Sequence, residues 1–203
     1  MGRDLFYFAK EAPPVFPYGR NAMTFKSVIM DAPAVERALR RISFEIIEHN
    51  KGVQDVCLVG VKRRGVSIAK KIRQNILAAE GTSVPMGALD ITFYRDDLTE
   101  KTPDPALNRT EIPFDITGKT VVLCDDVIFT GRTARAAIDA LFALGRPKAI
   151  RLAILVDRGH RELPIKADYV GKNMPTSLNE RVEVTFPEYD GCEIGVALYE
   201  ISR

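Results

Sequence analysis

Several things are scarce in this 203-residue sequence, and each scarcity excludes a class of protein. Its three cysteines, Cys57, Cys124 and Cys192, are odd in number and far apart, with no CxxC pair and no histidine at ligand spacing. That pattern excludes a disulfide scaffold and a zinc site, and points to a reducing, cytoplasmic setting. Cys57 and Cys124 lie inside apolar runs, where a thiol behaves as a small hydrophobe. No window approaches the roughly 18 uninterrupted apolar residues of a membrane span, so no membrane partner is expected. Net charge is also scarce: 29 basic against 27 acidic residues leave +2, so any affinity for nucleic acid must come from local clustering. The only two histidines, His49 and His160, sit in no nucleophile motif, which argues against a Ser-His-Asp hydrolase.

What is present is enough for one globular domain. With 46% apolar and 28% charged residues the chain can bury a single good core. Residues 1–25 read as an N-terminal extension without fixed structure. Lys10 and Glu11 break the aromatic run of a would-be signal peptide, and Met23 would make a natural start. From residue 26 the pattern becomes regular. Val35, Ala38, Leu39, Ile42 and Ile46 recur at helical spacing up to Gly52; 56–61 (VCLVGV) is a short buried strand; a second amphipathic helix closes at Gly81. Strands are predicted at 88–94, 121–127 and 149–157, with a helix from about Thr133 to Gly145. Alternating strands and helices argue for an α/β fold with a central, mostly parallel sheet flanked by helices.

In such sheets ligands bind at the carboxyl ends of strands, and three of these ends carry unusual chemistry. One runs into Lys62, Arg63, Arg64 and Gly65, a turn that suits pyrophosphate. One ends in two adjacent carboxylates, Asp125 and Asp126, followed by Val127, Ile128, Phe129 and the turn Thr130-Gly131-Arg132-Thr133. Neighbouring acids repel one another and contribute nothing to a fold there, whereas they suit the vicinal hydroxyls of a ribose. The turn opens a helix, so unpaired N–H groups and the positive end of the dipole make a nest for a phosphate monoester. The third strand ends in Asp157 and Arg158. Residues 95–117 show no periodicity and hold three prolines; over an active edge a stretch of that length reads as a lid loop.

The stretch VVLCDDVIFTGRT (121–133) resembles the phosphoribosyl pyrophosphate (PRPP) motif of the type I phosphoribosyltransferases. The segments LVGVKRRG, LDITFYRDDLTEKT and DRGHRELPIKADYVGKNMPTS resemble, in order, those of the bacterial pyrimidine-operon attenuation regulators that are also uracil phosphoribosyltransferases. The likeness covers residues 26–203 and implies the type I fold, with a small hood subdomain at about 157–189 and a flexible lid at about 95–117. It implies that uracil and PRPP give UMP and pyrophosphate with Mg2+, the metal held mainly through PRPP rather than by direct protein ligands. By the same likeness Asp125 and Asp126 steady the ribose, Arg95 reaches in from the lid, Lys62, Arg63 and Arg64 take pyrophosphate, residues 127–133 hold the 5′-phosphate, and Arg158 and the backbone near Val182 meet uracil.

A second activity implied by the resemblance is binding of pyrimidine-operon mRNA, promoted by UMP or UTP. Arg37, Arg40 and Arg41 share the helix face opposite the apolar stripe, and His160, Arg161, Lys166 and Lys172 cluster in the hood; such groups neutralise RNA phosphates. Phe44 on the same outward face reads better as part of a subunit interface than as a base-stacking ring, and a homodimer or higher homo-oligomer is expected. The alternative is an RNA-binding regulator whose nucleotide site senses but scarcely catalyses. A purine phosphoribosyltransferase is disfavoured by the hood sequence.

Overall fold

In this computed structural model, residues 23–94 and 110–201 are described. Twelve elements follow one another: β1 (Met23–Met30), α1 (Ala32–Asn50), β2 (Val56–Val61), α2 (Arg64–Glu80), β3 (Met86–Leu89), β4 (Thr120–Ile128), α3 (Arg132–Leu144), β5 (Ala149–Asp157), β6 (Tyr169–Asn173), β7 (Glu180–Thr185), α4 (Pro187–Asp190) and β8 (Gly195–Ile201).

The predicted stripe of α1 is what the fold buries. Val35, Ala38, Leu39, Ile42 and Ile46 are all inaccessible to solvent or nearly so, and burying each of the larger ones stabilises by about 1.5–3 kcal/mol. The helix starts where the Asp31 carboxylate accepts the Ala34 N–H at 3.0 Å, with Pro33 in the first turn. It ends at Asn50, where Lys51 turns left-handed and Gly52 donates its N–H to the Ile47 carbonyl at 2.9 Å.

Five parallel strands form the central sheet in the order β3-β2-β4-β5-β6. Alternation sends Leu58, Val122 and Cys124 towards α1 and α2, while Cys57, Val59, Val121 and Leu123 pack with Ala137 and Leu141 of α3. Both faces are therefore covered, as a parallel sheet requires. From β4 the chain builds outward to β5 and β6, whereas β2 and β3 lie on its other flank, so the order reverses between β2 and β4. Ligand crevices form at such switch points.

A second sheet, β1-β8-β7, is antiparallel. We refer to this sheet as the hood, and its strands do not coincide with the predicted boundaries. The hood is not the continuous stretch 157–189: it joins the N-terminal strand to two C-terminal ones, while β6, inside that stretch, extends the central sheet. Because Met23 pairs with Ile201, the folded domain begins three residues ahead of residue 26, and residues 23–25 are not part of an unstructured extension. Strand pairing is non-local, so a periodicity reading of β1 alone had nothing to place it against.

Two further differences concern the predicted strand 88–94 and the lid. β3 stops at Leu89 because the Asp90 carboxylate accepts the Thr92 N–H at 2.8 Å, folding 92–94 into a single 3₁₀ turn. Arg95 and residues 95–109 of the predicted lid lie outside the described residues. Its last part is fixed: Glu111 bridges to Ala88 through two backbone hydrogen bonds of 2.7 and 2.8 Å, and Ile112, Phe114 and Ile116 join the α3-side core. No helix among the described residues is long and apolar enough to cross a membrane.

Candidate active site

β4 is buried from Thr120 to Cys124 and only half-buried from Asp125 to Val127, so its acids emerge where the sheet opens. The two neighbouring carboxylates stand in different surroundings. Asp125 lines a cavity of about 360 Å³ together with Val127, Ile128, Phe129, Thr130, Gly131, Arg132 and Thr133. Asp126 is not in that wall. It lies towards Arg64 and Glu183, and its carboxyl is pushed up from the ordinary range, chiefly by burial, with the hydrogen bond to Asp125 and the Arg64 charge acting the other way. Glu183 in β7 is likewise raised by burial, with Arg181 and Arg64 opposing and Asp126 adding to the rise. Each of the two β4 carboxylates also accepts the N–H of the next residue at 2.9 Å, Asp126 N–H to Asp125 and Val127 N–H to Asp126.

The turn expected to hold a phosphate opens α3. Gly131, with φ +94°, is the N-terminal cap of α3 and offers no side chain to its first turn. A Cβ there would meet Leu163 at 3.4 Å and Ile165 at 3.6 Å, ordinary contact distances, so it is the backbone conformation and not the space that calls for glycine. The Thr130 carbonyl accepts the Glu162 and Leu163 N–H groups at 3.0 and 3.1 Å, which ties the turn to the loop after β5. Arg132 pairs with Glu162 across the mouth at 2.8 Å.

The basic turn after β2 is brought beside the acids by a backbone contact. A Cβ on Gly65 would lie 2.3 Å from the Cys124 carbonyl oxygen and 3.2 Å from the Asp125 Cα. Glycine here permits the start of α2 to sit against β4, rather than letting a ligand approach. The peptide Lys62-Arg63 is cis. Arg63 is exposed, and Lys62 is half-buried with its ammonium 3.5 Å from Glu111. Arg64 turns away from the mouth towards the hood and pairs with Asp190 at 3.0 Å.

Other predicted site residues are placed differently. Arg158 is 6% exposed; it donates to Thr176 Oγ1 at 3.1 Å and to the Ser177 and Glu180 carbonyls at 3.2 and 2.6 Å, and lies 4.2 Å over the Phe129 ring. Its guanidinium joins the 176–180 turn to the wall of the cavity. The Val182 side chain is buried in the core, which leaves only its backbone, the part expected near uracil, for a ligand. Arg161, expected among RNA-facing groups, points inward instead, donating to Asp157 and to the Phe129, Gly159 and Ile165 carbonyls. A cation with four internal acceptors is a structural clamp. His160 is exposed with its Nε2 against the Thr176 carbonyl, and Lys166, Lys172, Arg37 and Arg40 are exposed. Arg41 caps the Val170 and Gly171 carbonyls at 2.9 and 2.6 Å and pairs with Glu45.

Sequence reading missed the acids of α4. Glu188, Tyr189 and Asp190 reach the basic turn from more than 120 residues away. The only local signal was a polar PEYDG run after an apolar strand.

A glycine-capped helix start, an acid pair on the adjoining strand and a second, antiparallel sheet accompany the family match. Residues 27–189 match the family described as "Phosphoribosyl transferase domain", and the chain belongs to it. Solved structures with this fold include a hypoxanthine-guanine phosphoribosyltransferase of Bacillus anthracis, 18% identical with a TM-score of 0.63 over 88% of this chain and 99% of that one. Another is the hypoxanthine phosphoribosyltransferase of Trypanosoma cruzi, 16% identical with a TM-score of 0.65 over 88% and 98%. Much greater identity is found with proteins named Bifunctional protein PyrR. That of Listeria welshimeri is 59% identical over 84% of this chain and 95% of its own length. That of Caldicellulosiruptor bescii is 62% identical over 80% and 89%, and that of Thermus aquaticus 58% over 88% and 98%.

Proposed function

We propose that this phosphoribosyltransferase converts uracil and PRPP to UMP and pyrophosphate, and that it also regulates pyrimidine-operon transcription by binding mRNA when a uridine nucleotide occupies the site. The observation that carries the catalytic half is the meeting of three features at one switch point: the α3 nest, the Asp125 carboxylate in its wall, and the basic turn held against β4 through Gly65. The likeness to proteins named bifunctional, at 58–62% identity, supports the second half.

In this reading the 5′-phosphate sits on the first-turn N–H groups of α3 and the hydroxyls of Thr130 and Thr133, where the helix dipole favours an anion. Asp125 faces the ribose hydroxyls. As the bond to pyrophosphate breaks, positive charge grows on the sugar ring, and a fixed carboxylate in a partly desolvated wall stabilises it. Asp126 acts from the side towards Arg64. Pyrophosphate leaves towards Lys62 and Arg63, and positioning supplies most of the rate. Among the described residues no group of three or more His, Cys, Asp or Glu side chains could cage a metal ion. The oxygen donors at this strand end fit a Mg2+ that arrives on the diphosphate, keeps waters and takes few protein ligands. Such an ion would neutralise charge on the leaving group. Arg158 and the 176–180 turn set the far wall for uracil, discriminated by backbone groups and by the Phe129 ring.

For RNA, the exposed Arg37 and Arg40 on α1 and His160, Lys166 and Lys172 near the hood supply the phosphate contacts. Phe44, 54% exposed beside the arginines, supports an interface with a second copy of the chain. The free, buried Cys57 and Cys124 suit the cytoplasm, where nucleotide and transcript are both found.

The test is UMP formation from uracil and PRPP with Mg2+, comparing the native chain with Asp125→Asn and Asp126→Asn and running hypoxanthine beside uracil. Uracil-specific turnover that collapses in the variants is expected. Tight UMP binding without turnover would make the protein a nucleotide-sensing RNA regulator instead. Filter binding of leader RNA with and without UMP tests the second activity.

A further inference from the structure

Three consecutive residues of the short hood helix α4 hold the basic turn and the first turn of the helix that follows it. Tyr189 donates its hydroxyl to the Arg63 carbonyl at 3.2 Å. Asp190 accepts from the Arg64 guanidinium at 3.0 Å. Glu188 accepts from the Ser67 hydroxyl on the first turn of α2. The Asp190 side chain is only 4% exposed, and its second oxygen accepts the Phe186 N–H at 2.8 Å, so the carboxylate is fixed to its own backbone before it meets Arg64. Glu188 is held in its charged form chiefly by the Ser67 hydrogen bond. All three contacts join α4 to residues 63–67, the end of the loop after β2 and the first turn of α2, and none touches the Thr130–Thr133 turn.

The same loop is held on its other side by β4, through the close approach of Gly65 to Cys124 and Asp125. Its backbone is thus gripped between the acid-bearing strand and the hood, with Arg63 exposed and Lys62 half-buried beside Glu111. Arg64 instead spans from Asp190 to the vicinity of Asp126 and Glu183. A loop that must present cations to a departing dianion gains from such fixation, since an error of about 1 Å in placement can cost roughly 100-fold in rate.

We infer that Glu188, Tyr189 and Asp190 form a latch that positions the basic turn 62–64 for the pyrophosphate half of PRPP, with Arg64 acting as the latch's receiving group rather than as a pyrophosphate ligand. They are positioning residues, acting through Arg63, Arg64 and Ser67. The inference rests on the proposed transferase reading, but it makes a separable prediction. The latch governs affinity for pyrophosphate and PRPP, while affinity for UMP, which is held by the α3 nest and the 176–180 wall, is independent of it.

The experiment compares the native full-length chain with Asp190→Asn, Tyr189→Phe and Glu188→Gln. It measures Kd for Mg-pyrophosphate and for UMP by calorimetry, KM for PRPP in UMP synthesis, and the thermal midpoint. Asp190→Asn removes a charge-assisted hydrogen bond from a nearly buried pair and should weaken pyrophosphate binding and raise KM for PRPP about tenfold, with UMP affinity within about twofold. Tyr189→Phe loses a single neutral bond at an exposed position and should show about a two- to threefold effect of the same kind. An equal loss of UMP and pyrophosphate affinity, or a lower midpoint with no change in their ratio, would overturn the latch and leave α4 as ordinary hood structure. Unchanged pyrophosphate binding would overturn it too. If the native chain binds Mg-pyrophosphate but makes no UMP, the transferase reading fails while the binding ratio still decides the latch.

Discussion

Replacing Gly65 by alanine tests the joint that brings the basic turn to the acid pair. The new methyl would sit 2.3 Å from the Cys124 carbonyl oxygen, where ordinary contact begins at 3.4 Å, and 3.2 Å from the Asp125 Cα. Both obstacles are backbone atoms of the central strand, paired on each side by β2 and β5, so no side chain can swing aside. Either the start of α2 moves outward by about 1 Å or β4 bends, and overpacking of this kind costs about 3 kcal/mol, the upper part of the usual range. With a urea dependence of about 2 kcal/mol per molar, the unfolding midpoint should fall by about 1.5 M. A shift of about 1 Å between the pyrophosphate turn and the ribose carboxylate should lower kcat/KM for PRPP by roughly 100-fold. Urea melts followed by fluorescence or circular dichroism, and initial rates of UMP formation at varied PRPP, measure both. Gly81→Ala is the control: unlike Gly65 it sits at positive φ, +68°, but nothing lies within 4 Å of its Cβ, so it should lose only about 1 kcal/mol and no activity. A Gly65→Ala protein with a midpoint within about 0.3 M of native and an unchanged KM for PRPP would refute the joint.

Other outcomes follow from the same geometry. Asp126→Asn should raise the thermal midpoint of the ligand-free protein at pH 7 while abolishing UMP formation. The folded state raises the Asp126 carboxyl above its ordinary 3.8, so the charged form at neutral pH disfavours folding. This penalty, and with it the variant's advantage, should vanish as pH falls through the raised value towards 3.8; scanning calorimetry at several pH values reads it. Arg158→Lys cannot reproduce a guanidinium bonded to Thr176, Ser177 and Glu180, and should cost about 2–3 kcal/mol in urea melts and weaken UMP binding. Arg161→Ala should lower the melting midpoint as well as any RNA affinity, whereas Arg40→Glu should weaken RNA alone, with UMP formation intact and a shallower salt dependence by about one unit of log-log slope.

Much of this molecule was legible in the chain because its signals are local. The α1 stripe and the buried run of β2 were visible in periodicity, and the acid pair with its Thr-Gly-Arg-Thr turn was visible because chemistry of that kind has no folding rationale. The position of β3's end was less visible: an Asp-to-backbone turn at Asp90 and Thr92 outweighed a run of residues with strand character. Cations were judged by type rather than by surroundings, so Arg161 read as available when four acceptors from the ends of β4 and β5 and the loop beyond already surround it.

The sequence alone determined the α/β class, the Thr-Gly-Arg-Thr turn, the acid pair and the family resemblance, since each depends on residues within a few positions of one another. Tertiary structure decided how those pieces meet. Only pairing between chain ends builds the hood from β1, β7 and β8, because strand partners are chosen by register and burial over long separations. Only the fold shows that Asp125 lines the cavity at the start of α3 while Asp126 lies towards Arg64, that Gly65 is required by a carbonyl on β4, and that an acidic turn near the C-terminus grips the basic turn after β2. Such contacts are set by where the packed sheets place backbone atoms in space, a quantity that spacing along the chain does not contain.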